Sequence, residues 1–248
     1  MRHSMTTPKI ILSDFDGTLT HHTEMSSELF DILNLAESKK IPFVIVTGRS
    51  ISWAHFLITH FSTLPIVISE GGGALSWRDK NGLIQNEFLV PESELAKLEA
   101  FCVKLKEKYP NLNLTSDSLG RVSDRAIELC DLEDEKFKNE ICHLMDEEGI
   151  NYSTSNVHLN FWCGNLSKAN ATKVLFNKFF SHLNMEEESI YFGDSLNDQS
   201  MFDKVKTSIG VSNIDSVMDR LSVKPHIILK GKENAGPSGV LNYLKNNL

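Results

Sequence analysis

No apolar run in this 248-residue chain approaches the ~20 residues that a membrane-spanning helix needs. A bundle of such helices is therefore excluded. Cysteine is scarce as well. Cys102, Cys130, Cys142 and Cys163 show no Cys-x-x-Cys spacing, which supports neither a zinc site nor a disulfide framework. They read as reduced thiols of a cytoplasmic protein. Positive charge is in deficit, with 25 Lys and Arg against 33 Asp and Glu, a net charge of −8 and a pI near 5.6. No basic cluster offsets that balance, so neither nucleic acid nor an anionic membrane is expected as a partner. The opening segment, Met1 to Pro8, lacks the apolar centre of a signal peptide and reads as a loose polar tail. The Gly-rich dinucleotide fingerprint is missing after the first apolar run. There is no internal repeat and no low-complexity segment.

What is present is a hydrophobic content of 41%, enough for one large or two medium globular domains. Proline punctuates the apolar runs. Pro8, Pro42, Pro65 and Pro225 stand just ahead of Ile10–Leu12, Phe43–Val46, Ile66–Ile68 and Ile227–Leu229. Pro is tolerated at strand starts and not in central ladders. The runs are near-continuous rather than alternating, as in strands buried on both faces of a parallel sheet. Helical spacing over Ser26–Lys40 and Ile51–Phe61 separates the first three, which gives βαβ units. Ser189–Phe192, Thr207–Val211 and His226–Leu229 continue the scheme, with helices near Lys168–Leu183 and Gln199–Lys204.

The middle of the chain has another character. Leu83–Val90 reads as a strand, Glu92–Lys108 as a charged amphipathic helix, Arg125–Cys130 as a strand and Glu133–Glu147 as a second helix. Asn151–Thr154 and Val157–Trp162 read as a hairpin. The expected fold class is thus α/β, a Rossmann-like parallel sheet core formed by 1–76 and 166–248, with an inserted α+β cap at 77–165. Gly71-Gly72-Gly73 and the neighbourhood of Gly164 are the expected joints.

The chemistry-bearing residues fall at strand ends. Ile10-Ile11-Leu12 leads into Ser13-Asp14-Phe15-Asp16-Gly17-Thr18. Two carboxylates two residues apart at the end of a buried strand share a side. Like charges there resist desolvation, and a divalent cation with a phosphate would account for both. An Asx-type turn is the alternative for this segment taken alone. Val44-Ile45-Val46 ends in Thr47-Gly48-Arg49, and Ser189–Phe192 ends in Gly193-Asp194-Ser195-Leu196-Asn197-Asp198. Lys168 stands where a helix begins, a position that disfavours a cation unless a carboxylate–phosphate cluster faces it. Ligands of open parallel sheets bind beyond the carboxyl ends of the strands, so this fold brings Asp14, Asp16, Thr47 and Asp194 together. Oxygen ligands without His or Cys favour Mg²⁺.

In order and spacing these four segments resemble the signature motifs of the haloacid dehalogenase superfamily of phosphohydrolases. The long gap between the second and third resembles the Cof-type, sugar-phosphatase-like subfamily IIB. The resemblance implies that Asp14 is a nucleophile forming an aspartyl-phosphate and that Asp16 is the general acid and base. It implies that Asp14, Asp16, Asp194 and Asp198 hold Mg²⁺. Lys168 would offset charge, while Gly17, Thr18, Thr47, Gly48, Arg49 and Asn197 would contact phosphate or substrate. The expected function is a phosphatase acting on a small phosphorylated metabolite, a sugar phosphate or a phosphoglycerate-containing osmolyte precursor. A phosphosugar mutase and a non-catalytic phosphometabolite binder are the alternatives, and the oligomer is expected to be a monomer or homodimer. Arg49 reads equally as a substrate contact or a surface charge. Thr47 could also cap the helix after it, and His21 and His22 read as a polar loop, with a substrate contact as the alternative. Glu70 is either a bond to a substrate hydroxyl or a strand terminator. In the cap, Arg121, Arg125, His158 and Asn160 are candidates for a sugar hydroxyl or second anion, with surface ion pairs as the alternative for the arginines.

Overall fold

The computed structural model describes residues 7–22, 24–154 and 158–248. Most of the expected polar tail, and Val157 of the expected hairpin, lie outside them. The chain begins with β1 (Ile10–Ser13), α1 (Ser27–Ser38), β2 (Phe43–Val46), α2 (Ile51–His60) and β3 (Ile66–Ser69). Then come β4 (Ala74–Arg78), β5 (Ile84–Phe88), α3 (Glu92–Lys108), β6 (Asp124–Glu128), α4 (Glu135–Glu147), β7 (Asn151–Thr154) and β8 (His158–Trp162). It closes with α5 (Lys168–Phe179), α6 (Met185–Glu188), β9 (Ser189–Gly193), α7 (Gln199–Lys204), β10 (Thr207–Gly210), β11 (Ile227–Ile228) and α8 (Gly236–Asn247).

Eight strands form one sheet in the order β11-β10-β9-β1-β2-β3-β4-β5. The ladders from β11 to β3 are parallel, and β4 and β5 add on antiparallel. The large sheet therefore extends to Phe88, past residue 76 where the sequence reading ends the first core segment. Strand alternation explains the near-continuous apolar runs. Ile11, Ile45, Val67 and Phe192 face one core layer with α1, α2 and α8. Ile10, Leu12, Val44, Val46 and Tyr191 face the other, with α5 and α7. Helix α8 has no counterpart in the sequence reading. Its Gly236-Pro237 start reads as a break, but Pro is well suited to the first helical turn.

A second sheet, β6-β8-β7, is antiparallel. It has its own core, in which Leu98, Phe101 and Leu105 of α3 and Ile141, Leu144 and Met145 of α4 pack on Ile127, Leu159 and Phe161. β6 is shorter than the expected Arg125–Cys130, because the chain turns into a 3₁₀ segment at Leu129. Among the described residues no helix is long and apolar enough to cross a membrane.

The position of β1 sets the site. It lies between β2 and β9, where the strand order reverses, with Ser13 opposite both Ile45 and Phe192. Asp14, Thr47 and Asp194 therefore emerge together at the carboxyl edge, at the switch point of the sheet.

Candidate active site

Lys168 is the centre of the arrangement. Ser167 caps α5 through a bond from the Asn170 amide, so Lys168 opens the helix and its side chain turns inward. Its Nζ donates to Asp14 Oδ1 at 2.6 Å and to Asp198 Oδ1 at 2.7 Å, and the side chain is 1% exposed. Burial alone would depress the ammonium, but Asp14 and Asp198 outweigh it and raise its pKa. One ammonium thus serves several buried carboxylates. Oxygens of Asp14, Asp194 and Asp198 lie within 4.8 Å of one another. Burial pushes the Asp14 carboxyl up to about 7 against the pull of Lys168, with repulsion from Asp198 adding to it. Asp194 is raised for the same reasons, burial first and then the charges of Asp14 and Asp198.

The oxygens of Asp198 are largely committed. Oδ1 accepts from Lys168 and, at 2.5 Å, from the Tyr191 hydroxyl. Oδ2 accepts from the backbone amides of Asp194 and Ser195, both at 3.0 Å. Asp198 thereby shapes the turn after β9 and anchors the ammonium. Asp194 is oriented from both sides. Thr18 Oγ1 donates to its Oδ1 at 2.9 Å and Asn213 Nδ2 to its Oδ2 at 2.7 Å. Gly17 has φ +78°, and a Cβ there would collide with Asp194 Oδ2. So the structure sets Gly17 and Thr18 against Asp194, as positioning groups.

Asp16 is partly exposed and held by Arg49, whose Nε and Nη2 donate to its two oxygens at 2.7 and 2.6 Å. Arg49 also lies over the Trp53 ring, 4.9 Å from the centroid. It is neither a free surface charge nor an uncommitted substrate ligand. Thr47 is buried and accepts from the Arg49 amide at 3.0 Å, which leaves its hydroxyl proton to donate elsewhere. The residue preceding α2 is Ser50, so Thr47 is not the helix cap.

Two of the arginine candidates are committed to partners within the protein. The Arg121 side chain is fully buried, bonded to Asp117, to both oxygens of Asp124 at 2.8 Å, and to the Gly48 carbonyl at 3.0 Å. It ties the second sheet to the strand-end loop of the first. Arg125 donates to the carbonyls of Arg121, Val122 and Asp124, and faces Glu99 at 3.4 Å. Its sequence setting, a strand start beside a turn, puts carbonyls rather than a cavity within its reach. His21 pairs with Glu28 at 2.7 Å. Glu70, with φ +53°, is buried and accepts from the amides of Ile51, Val122 and Ser123 and from the Ser123 hydroxyl. It neither ends a strand idly nor projects freely; it joins α2 to the turn before β6.

A cavity of about 230 Å³ is lined by residues of both sheets and their loops, among them Lys168, Gly48, Asn197, Glu70, Asp124 and Asn160. A Cβ on Gly48 would stand 3.8 Å from Asn197 Nδ2 and 3.9 Å from Asn160 Nδ2, in ordinary contact with both amides. Sequence reasoning passed over Tyr191, Asn213 and Asp124. Tyr191 sits in an apolar run and reads as core, and Asn213 sits in an ordinary polar turn.

The comparisons agree with this geometry. A family model described as haloacid dehalogenase-like hydrolase matches residues 11–117 and 119–220. A phosphoglycolate phosphatase of Sulfurisphaera tokodaii is 26% identical over 240 residues, covering 96% of this chain and 94% of that protein. Among solved structures, a Thermoplasma acidophilum protein superposes with a TM-score of 0.72 at 19% identity, covering 98% of this chain and 99% of that one. The sucrose-phosphatase of Synechocystis, solved with sucrose and phosphate, gives 0.69 at 14% identity and covers 98% of each chain. At such identities the likeness to these structures is one of fold. With the family matched along most of its length, the chain belongs to the haloacid dehalogenase-like hydrolases.

Proposed function

We propose that this chain is a Mg²⁺-dependent phosphatase that hydrolyses a small phosphomonoester, of the sugar-phosphate class, through an aspartyl-phosphate on Asp14. The observation that carries the reading is the buried Lys168 bridging Asp14 and Asp198, beside Asp194, and lining a cavity. Pure binding of a phosphate does not require a buried carboxylate where the anion would sit. The phosphatase names of the Sulfurisphaera and Synechocystis proteins support the same reaction class.

The donor set fits Mg²⁺. Its ligands would be oxygens, and the crowded carboxylates have one ammonium among them to balance their charge. Asp14 and Asp194 would hold the ion, with the Asp16 carbonyl; Asp198, its oxygens already engaged, would act through water. When bound, the ion supplies charge neutralisation of the phosphoryl oxygens.

In the first step an Asp14 carboxylate oxygen attacks phosphorus. The bond from phosphorus to the leaving oxygen breaks, and Asp16 gives that oxygen its proton. In the second, Asp16 takes a proton from water, which attacks the same phosphorus. Inorganic phosphate leaves and the Asp14 carboxylate is restored. Lys168 compensates charge on Asp14 and the phosphoryl group, and Thr47 and Asn197 donate to its non-bridging oxygens. The unit around the second sheet would act as the specificity cap, closing over the strand ends.

The test is phosphate release from a panel of phosphomonoesters, with Mg²⁺ and then with a chelator. Activity that is lost on chelation and restored by Mg²⁺ is expected; equal activity in both would contradict the reading. Gly17→Ala sharpens it. The substitution puts an L-residue at positive φ, which costs ~1–2 kcal/mol, and forces Asp194 Oδ2 aside. The Mg²⁺ concentration for half-maximal rate should rise by about tenfold or more. An unaltered Mg²⁺ titration would show that Asp194 is not an ion ligand.

A further inference from the structure

We propose that Asn160 and Asp124 select the leaving group, their oxygens forming a wall that takes uncharged hydroxyl-bearing groups and rejects a second anion. This rests on the phosphatase reading above and narrows its substrate. Lys168 and Asn197, which would hold the phosphoryl group, line the same cavity as Asp124, Asn160 and Glu70, so a leaving group in that cavity meets these three.

Asn160 Nδ2 donates to Asp124 Oδ2 at 3.3 Å. That bond fixes the amide orientation and directs Oδ1 the other way. Oδ1 is buried and has no hydrogen-bond partner. A buried carbonyl without a donor is costly, and a substrate hydroxyl would satisfy it. Asp124, 2% exposed, is paired by Arg121 and Asn160 but keeps acceptor capacity toward the cavity.

No cation is available for a carboxylate on the substrate. Among the described residues lining the cavity Lys168 is the one cation, and it is committed to Asp14 and Asp198. Arg49 is committed to Asp16, and Arg121 to Asp117 and Asp124. A second anion would meet the carboxylates of Asp124 and Glu70, and like charges repel. This sets the chain apart from the Sulfurisphaera relative, whose name specifies phosphoglycolate, a phosphate monoester with a free carboxylate.

Glycerol 3-phosphate and 3-phosphoglycerate differ by a CH₂OH in place of a carboxylate and form the probe pair. Rates are compared at about pH 8, above the value of about 7 to which burial, opposed by Arg121, lifts Asp124. The wild-type protein should show a kcat/KM at least about tenfold higher for glycerol 3-phosphate. Asn160→Leu should cut that ratio about tenfold, chiefly through KM for glycerol 3-phosphate. Asp124→Asn keeps an oxygen on Arg121 but removes the charge, and should move the ratio about tenfold toward 3-phosphoglycerate. A wild-type preference for 3-phosphoglycerate, or a ratio unchanged in both variants, overturns the selection while leaving the phosphatase reading intact. Absence of turnover of both esters and of p-nitrophenyl phosphate overturns that reading, and the selection with it.

Discussion

Replacing Asp14 by Asn should lower kcat for phosphomonoester hydrolysis by at least about 10⁴-fold, while raising the Tm of the chelator-treated protein. The two effects have one origin. The carboxylate that attacks phosphorus is also a buried charge crowded by Asp198 and Asp194. Burial lifts its pKa from 3.8 to about 7. Between about pH 4 and pH 7 the folded protein therefore binds this proton more tightly than the unfolded chain. The stability from that proton is complete below about pH 4 and lost as pH rises through about 7. An amide is neutral throughout, so the advantage of the variant opens over that interval and stays constant above it. At ~1.4 kcal/mol per pKa unit the gain is on the order of a few kcal/mol. Thermal unfolding of both proteins at about pH 5 and pH 8, in a chelator, measures it. A variant less stable than wild type at the higher pH would contradict the assigned crowding.

Lys168→Met should have the opposite effect on stability. Methionine matches the stem in length but leaves Asp14, Asp194 and Asp198 buried with no cation. Removing one partner of a buried ion pair typically costs ~3–5 kcal/mol, most of it the unpaired charge that remains. Without the pull of Lys168, Asp14 holds its proton to higher pH, and a protonated carboxyl is no nucleophile. Denaturant unfolding near pH 7.5 in a chelator should show a loss of this order, and kcat should fall by about 10³-fold or more. Saturating Mg²⁺ should restore part of the stability, because it neutralises the same carboxylates. Stability equal to wild type would show that the ammonium does not serve these acids. The double variant, with Asp14→Asn as well, should recover stability without recovering activity.

The legible part of the fold was what period and punctuation encode. Helix α3 lies where the apolar stripe puts it, and the Ile10–Leu12 run is a strand buried on both faces because its neighbours alternate between two core layers. That β5, beyond the expected core boundary at residue 76, continues the large sheet antiparallel was not legible, because strand type says nothing of which sheet a strand joins. Helix α8 was missed because Gly236-Pro237 signals a break and a helix start equally well. The strand-end motifs brought Asp14, Asp16, Thr47 and Asp194 to one edge because sheet topology converges them, and Lys168 reaches the same edge from the start of α5. What a motif does not reveal is division of labour. That Asp198 would be saturated by Lys168, Tyr191 and two amides depends on the turn's three-dimensional path. Arg121 and Arg125 carried the right charge for an anion, but Asp117, Asp124 and local carbonyls claim them first.

The proposed chemistry stands or falls on where the phosphoryl group is held between the two steps. Enzyme quenched in acid during turnover, reduced with borohydride and digested, should yield a peptide in which Asp14 has become homoserine, the product of reducing an acyl phosphate. Asp14→Asn should yield none. Phosphate release at the normal rate with no reducible adduct at Asp14, or an adduct at a different residue, would contradict the account.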